Sequence, residues 1–452
     1  MLLTCFDVFA QPSQAKIDSL IRILSSQTGQ ERVLTLIQLS EAYREISAKK
    51  TYETAETASR YADEAGLKNM QGTILLSMGK SATTLGDYPM ALNYLEKAVK
   101  AFEKSENFKE LIISIFSIAN VYKNMADYAE ADKFYINAIH LAQEHGLVSQ
   151  QAASELNRGN MFFAIGDYEQ AMESYQKAKK LYESINETDR LALSLTNIGL
   201  IYWQWNKNDL ALEMLLKAKD IFEEKKNYVE MGKAYNNIGR LYHQDFHDTT
   251  KALEYYQKSL KIREEIGNQL GIAVVLANIG SVYRDNQQYE KAFEYFDRSL
   301  SISRMIGYKE GILLGTFYSG MAYQKKKNYE KSNILMDSAY IMSKRYGITN
   351  YFPMINEARL NNYAALGQYS EFLNEFKEYQ IRHDSLKSEV DELRFSELEA
   401  RNEAERLKKT IEKIQSANQQ LQHQMLSRNT LIVFLLLIVF VMTIALVARK
   451  KK

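Results

Sequence analysis

The hexapeptide Gly86-Asp87-Tyr88-Pro89-Met90-Ala91 returns as Ala126-Asp127-Tyr128-Ala129-Glu130-Ala131 and again as Gly166-Asp167-Tyr168-Glu169-Gln170-Ala171, 40 residues apart each time. Followed onward, its last alanine gives Ala91, Ala131, Ala171, Ala211, Ala252 and Ala292, then Ser332 and Phe372, with a single extra residue before Ala252. Seven residues beyond most of these stands another small side chain: Ala98, Ala138, Ala178, Ala218, Ser259, Ser299 and Ala339. Small residues at that separation lie on one helix face and let a neighbouring helix approach closely. A fixed period of this length is the mark of stacked supersecondary units.

Upstream of each turn runs a second signature: Asn197-Ile198-Gly199-Leu200-Ile201-Tyr202, Asn237-Ile238-Gly239-Arg240-Leu241-Tyr242 and Asn278-Ile279-Gly280-Ser281-Val282-Tyr283. The glycine removes a side chain where two helices cross, and the tyrosine three residues later is expected to fill the space beside it. Each unit is a helical hairpin, and one hairpin alone cannot bury its apolar face, so the units must stack.

The combination Asn-x-Gly-x-x-Tyr, then Gly-Asp-Tyr-x-x-Ala, then an aromatic and a second small residue, resembles the tetratricopeptide repeat family over roughly Glu31 to Ser385. The family's usual period is about 34, so 40 resembles its longer-helix variety. The family's tryptophan early in the first helix is missing. The outer units are degenerate: around Thr51 to Ala62 only Tyr52, Ala55 and Ala62 fit, and Phe372 replaces the alanine at the far end. Atypical terminal repeats are what capping a stack requires. The resemblance implies a non-enzymatic protein whose first helices line a concave face that holds a peptide or protein.

Composition narrows the field further. Among 452 residues, 57 Lys and Arg stand against 56 Asp and Glu, so there is no whole-chain basic field of the kind that neutralises nucleic-acid phosphates. The one cysteine, Cys5, permits neither an intramolecular disulfide nor a thiolate zinc cage. Only three prolines and 20 glycines punctuate the chain, and 46% of it is apolar. A large helical body is the expected outcome.

Beyond the repeats the period changes to seven. Leu386, Leu393, Ala400, Leu407, Ile414 and Leu421 form one seam, with Val390, Glu397, Ala404, Ile411, Asn418 and Met425 at the alternate heptad position. This predicts a coiled coil over 386–427, or else a long helix folded back on the array. A lone polar residue in the seam, Asn418, favours a parallel two-stranded pair, so Leu386, Leu393, Leu407, Ile411, Ile414, Asn418 and Leu421 are the expected homodimer seam. Then comes LIVFLLLIVFVMTIALV, residues 431–447, without a charge. With Thr430 and Ala448 it spans ~28 Å as a helix, close to the hydrocarbon thickness of a bilayer. Arg449, Lys450, Lys451 and Lys452 follow directly, whereas the preceding 20 residues hold only Lys413 and Arg428 as basic residues. The positive-inside rule places 449–452 in the cytoplasm and the repeats outside, which for a bacterium means the periplasmic side of the inner membrane. Residues 1–10, MLLTCFDVFA, match either the end of a signal peptide cleaved before Gln11 or an unstructured tail.

Signatures of catalysis are sparse. Gly79-Lys80-Ser81 lacks the earlier glycine of a phosphate-binding loop, since that place is Ile74, and it falls inside a repeat helix. His243 and His247, with Asp245 and Asp248, have spacing that suits a metal, but they sit at a turn, where Asp and His collect for backbone reasons. His140, Glu144 and His145 near another helix end are a weaker set. No metal and no cofactor is therefore expected. What remains is the face lined by first helices. Asn157, Asn197, Asn237 and Asn278 recur at one place in four successive units, a column of amides able to grip an extended peptide backbone or, alternatively, to satisfy a helix contact. Lys233, Arg240, Lys123 and Arg284 are expected on the same face, favouring an acidic peptide or a free carboxylate. Trp203 joins this set, although packing explains both Trp203 and Trp205 equally well.

The expected organisation is all-α: a partial signal peptide or tail (1–10), a lead-in helix (11–30), a right-handed α-solenoid of about eight to nine hairpins (31–385), the coiled coil (386–427), a transmembrane helix (430–448) and a basic cytoplasmic tail (449–452). The order also resembles Bacteroidetes-type membrane sensors, in which a histidine kinase or a LuxR-type DNA-binding module follows the span. Here only four residues follow it, so that part of the resemblance implies no activity. The functional expectation is a membrane-anchored sensor or scaffold that binds a protein or peptide. The alternatives are a tail-anchored cytosolic adaptor of co-chaperone type and a truncated sensor that has lost its output domain.

Overall fold

The computed structural model describes residues 12–43, 47–368, 370, 373, 410–413 and 416. Among the described residues there is no strand; the regular elements are 18 α-helices and two short 3-10 turns. The chain forms two compact units, the first running to Lys326 and the second starting at Lys327.

In the first unit α1 (Pro12–Leu24) precedes a series of hairpins: α2 (Gly29–Tyr43) with α3 (Ala48–Glu64), α4 (Gln71–Leu85) with α5 (Tyr88–Lys104), and α6 (Phe108–Asn124) with α7 (Tyr128–Glu144). The series continues with α8 (Val148–Ala164) and α9 (Tyr168–Ser184), α10 (Thr188–Gln204) and α11 (Asn208–Glu224), α12 (Tyr228–Gln244) and α13 (Thr249–Glu265), α14 (Gln269–Asp285) and α15 (Tyr289–Met305), then α16 (Lys309–Lys325). From α5 to α16 every helix has 17 residues, and all but one of the links between them have three. Two such helix-plus-link steps make the 40-residue period.

The links explain the sequence motif. After each helix one residue takes the left-handed conformation, φ 87° at Gly86, 62° at Ala126 and 81° at Gly166. The next residue caps the following helix: Asp87, Asp127 and Asp167 accept from the N–H groups of Met90, Glu130 and Gln170 at 3.1, 3.2 and 3.1 Å. Such a cap satisfies a backbone donor that the first helical turn otherwise leaves open. The return turns use Asn107, Asn227 and Asn268 in the same way.

Packing follows from the small residues. Ala91, Ala131, Ala171, Ala211, Ala252 and Ala292 are all fully buried, as are Ala98, Ala138, Ala178 and Ala218. A methyl group on Gly159, Gly239 or Gly280 would sit 2.6, 2.8 or 2.6 Å from the rings of Tyr175, Tyr256 and Phe296 on the partner second helix. The space beside each glycine is thus filled from the second helix. Tyr242 and Tyr283, expected to fill it, instead stack on Tyr255 and Tyr295, at centroid distances of 5.7 and 5.4 Å. Each second helix packs on both its own first helix and that of the next repeat. First helices also touch one another directly, α4 with α6, α6 with α8, α12 with α14 and α14 with α16.

The second unit contains α17 (Tyr329–Tyr346) and α18 (Phe352–Leu366). The small-residue position is Ser332 here, buried, and its hydroxyl accepts from Asn362 Nδ2 at 2.8 Å. Arg359 donates to Asp337 at 2.7 Å and lies over Tyr340. Of the expected dimer seam only Ile411 is described, and it is half exposed. Leu386, Leu393, Leu407, Ile414, Asn418 and Leu421 lie outside the described residues, as do residues 1–10 and 430–448. Among the described residues no helix is long and apolar enough to cross a membrane.

Candidate functional site

In each first helix one stripe is committed to its second helix and to the neighbouring repeats. The remaining stripe carries the amide column, and every member of it is half buried. Asn157 turns its amide back to the Ala153 carbonyl of its own helix at 2.8 Å. Asn197 Nδ2 donates to Asn160 Oδ1 of the preceding first helix at 3.0 Å, and the Tyr175 hydroxyl donates to that same oxygen at 2.8 Å. Asn278 Nδ2 donates to Asn236 Oδ1 at 2.8 Å. Three of the four amides therefore spend a donor inside the array, two of them tying successive repeats together. The side-chain amide of Asn237 has no hydrogen-bond partner among the described residues. The column continues one step further as Tyr318, a position that the 40-residue spacing from Asn278 points to.

The expected cations separate into different situations. Lys233 is exposed and bonded to Glu230 at 2.8 Å. Lys123, on α6 and three first helices before α12, is half buried, and burial lowers its pKa. Arg284 grips Asp285 through Nε and Nη2 at 2.8 and 3.0 Å, while His243 Nε2 reaches the same carboxylate at 3.1 Å. Burial alone would raise the Asp285 pKa, but these two partners hold its carboxyl far below the usual range. Arg240 stands apart. Its guanidinium lies over the Trp203 ring at 4.9 Å and has no carboxylate or hydrogen-bond partner among the described residues. Trp203 is held in place from the other side, its Nε1 donating to Asp245 at 2.7 Å.

These groups form one row over four successive repeats: Trp203 on α10, Arg240 and His243 on α12, Arg284 and Asp285 on α14, Tyr318 on α16. Arg284 also lies over the Tyr318 ring at 5.9 Å. Burial raises the Tyr318 pKa, and the charges of Arg284 and Arg240 both act against that rise. Trp205 belongs to packing, edge-on to Tyr202 at 6.3 Å. The sequence signal for Asp245 and Asp285 was indirect, because their value lies in the partner each holds across a repeat boundary.

Among the described residues no group of three or more His, Cys, Asp or Glu can hold a metal ion. His145 stacks on Phe108 at a centroid distance of 3.6 Å. Gly79 lies within α4, against Leu95. Chemically the row offers a cation on an aromatic platform, flanked by amides, which suits capture of a carboxylate-bearing chain.

The tetratricopeptide repeat family models match residues 114–145, 150–224 and 230–306. No curated protein matches the sequence. Among solved structures, a Rap protein complexed with competence and sporulation factor superposes with a TM-score of 0.50 at 13% identity, over 75% of this chain and 99% of that one. The apo form of the quorum sensor NprR from B. thuringiensis superposes with a TM-score of 0.48 at 16% identity, over 63% of this chain and 80% of that one. BtubC (BKLC) from P. vanneervenii gives 0.43 at 20%, over 49% of this chain and 90% of that one. At these identities the likeness is one of fold. The repeated motif, the 17-residue helices and the family match coincide, and the stretch from 114 to 306 carries tetratricopeptide repeats.

Proposed function

We propose that the chain is a non-enzymatic binding protein in which the first helices α8 to α16 hold an extended acidic segment of a peptide or protein partner. The observation that carries this is Arg240. Among the expected cations of α12 and α14, Lys233 is neutralised by Glu230 and Arg284 by Asp285, yet Arg240 is laid on Trp203 with its donors unspent. A half-buried guanidinium without an anion is an unfinished pair. Asn237, the amide without a partner, lies on the same helix and on the same stripe. The Rap protein of similar fold is complexed with competence and sporulation factor, which supports the reading only at the level of fold.

The test is to pass the detergent-solubilised full chain over an immobilised peptide library and to measure the retained sequences by titration. Arg240→Ala and Asn237→Ala should each weaken the retained peptides about tenfold, the effect of losing one hydrogen bond to a charged or buried group, and leave the melting curve unchanged. Retention of no peptide, or binding indifferent to both substitutions, would remove this assignment.

Around this module the proposed arrangement is a sensor or scaffold anchored by 430–448, with the repeats in the periplasm, 449–452 in the cytoplasm and 386–427 joining two copies in parallel. Protease added to intact spheroplasts should digest the repeats and spare the span. Full protection until permeabilisation would favour the tail-anchored adaptor instead.

A further inference from the structure

The break in the repeat spacing, the extra residue before Ala252, falls in the link between α12 and α13, which has four residues, Asp245-Phe246-His247-Asp248. The closing hydrogen bond shifts with it. Asp248 N–H reaches the Tyr242 carbonyl at 2.9 Å, six residues back, whereas Asp127 and Gln288 reach Tyr122 and Tyr283, five back. His247 takes the left-handed position, φ 53°, and is exposed. At this link the array opens a cleft of about 650 Å³, lined by His243 and His247 from one repeat, Arg284, Asp285 and Tyr289 from the next, and Lys325 at the end of α16.

The charges around the cleft are unequal. Asp285 is the one acidic side chain in its wall, and both its oxygens are occupied, Oδ1 by Arg284 and Oδ2 by Arg284 and His243. Arg284 Nη1 is left over from that pairing. Lys325 Nζ and the His247 imidazole have no partner among the described residues, and the Tyr289 hydroxyl bonds the Lys325 carbonyl at 3.3 Å. The walls therefore present nitrogen donors from three repeats and no unengaged carboxylate. A cation would meet the Lys325 ammonium with no free carboxylate to neutralise it; an anion would complete Lys325 and could take the remaining Arg284 N–H.

We propose that this cleft is a second binding site, specific for an oxyanion carried by a phosphate or carboxylate group. It is independent of the Arg240 assignment, since Arg240 is not in its wall, although Arg284 borders both. The cleft is open to solvent and has room for an anion carried on a larger body, such as a phosphorylated small molecule or the clustered carboxylates of a peptide.

The full chain is titrated with pyrophosphate and, separately, with triglutamate, and binding is followed by calorimetry. Saturable binding of one of the two is expected, and the tighter probe tells phosphate from carboxylate. Lys325→Glu and His247→Glu should each weaken it tenfold or more, while Lys97→Glu, an exposed lysine on α5, changes it less than twofold. Both substituted side chains are exposed, so thermal melts should match the parent; Lys325→Met replaces Lys325→Glu if they do not. Absence of saturation with both probes, or an equal loss with Lys97→Glu, overturns the proposal.

Discussion

Glu155 occupies a position that is Ile115, Leu195, Tyr235 and Leu276 in neighbouring repeats. Only 5% of it is exposed, and its Oε2 has no hydrogen-bond partner among the described residues. Burial raises its pKa, while Lys177 and Arg158 pull the other way without contacting it closely enough to satisfy that oxygen. A buried polar atom without a partner costs about 1 to 3 kcal/mol. Glu155→Leu should therefore stabilise the array by roughly that amount at pH 7. The pH dependence has a definite sign. A carboxyl whose folded pKa is raised keeps its proton in the native state when the unfolded state has released it, so its stabilising contribution is present in acid and is lost as pH rises through the folded value. Urea melts at pH 7 and pH 4.5 should show the gap between parent and Glu155→Leu narrowing in acid. A gap that widens, or none at pH 7, would mean that Glu155 is satisfied in solution.

At the scale of the element, the critical feature is the approach of each first-helix glycine to one large side chain of the second helix. Gly280→Ala would place a methyl 2.6 Å from the Phe296 ring, whereas at Gly199 the nearest atoms are 3.2 Å away. Overpacking of this kind costs about 1 to 3 kcal/mol, while alanine gains about 0.5 to 1 kcal/mol over glycine in a helix. Gly280→Ala should thus lower stability by about 1 to 2 kcal/mol, and Gly199→Ala should stay near neutral. Equal effects in denaturant melts would show that the Phe296 ring moves aside freely. The sequence made the hairpin legible because 40 is twice the sum of a 17-residue helix and a three-residue link, and because Asp after a left-handed position is a capping signal. The filler of the glycine gap was not legible. Three residues along a helix turn the side chain about 60° off the glycine's direction, so Tyr242 and Tyr283 meet the second helix one residue earlier, at Tyr255 and Tyr295. The amide column was visible from spacing alone, yet its partners Asn160 and Asn236 were not, since which of two adjacent residues crosses to the next repeat depends on how the two helices are rotated. Arg240 and Trp203 were both candidates singly; their stacking is a relation between repeats that no single repeat encodes.

For the first unit as a whole, buried tyrosine sets the alkaline limit. Tyr135, Tyr175, Tyr182 and Tyr256 are each at most 2% exposed and are spread from α7 to α13. Burial is the leading cause that raises the pKa of each, to about 12 for Tyr182 and higher still for the other three. Above the ordinary tyrosine pKa of about 10 the unfolded chain loses phenolic protons that the native chain retains, so ΔG of unfolding falls with pH, by up to about 1.4 kcal/mol per pH unit for each such group. The sign follows from the native state binding more protons. Stability is therefore expected to be flat between pH 8 and 9.5 and to fall steeply above about 10, with the ionisation of these four phenols accompanying loss of helix rather than preceding it. Because repeats are coupled mainly to their neighbours, the loss should begin in the repeats that hold these rings and spread along the array. Tyr182 offers the sharpest control, since its hydroxyl is buried without a partner among the described residues. Tyr182→Phe removes an unsatisfied group and one titrating proton at once, so it should add about 1 kcal/mol at pH 8 and reduce the steepness of the alkaline decline. A smaller tyrosinate signal in Tyr182→Phe than in the parent while helicity is still intact would show instead that water reaches this phenol in the native array.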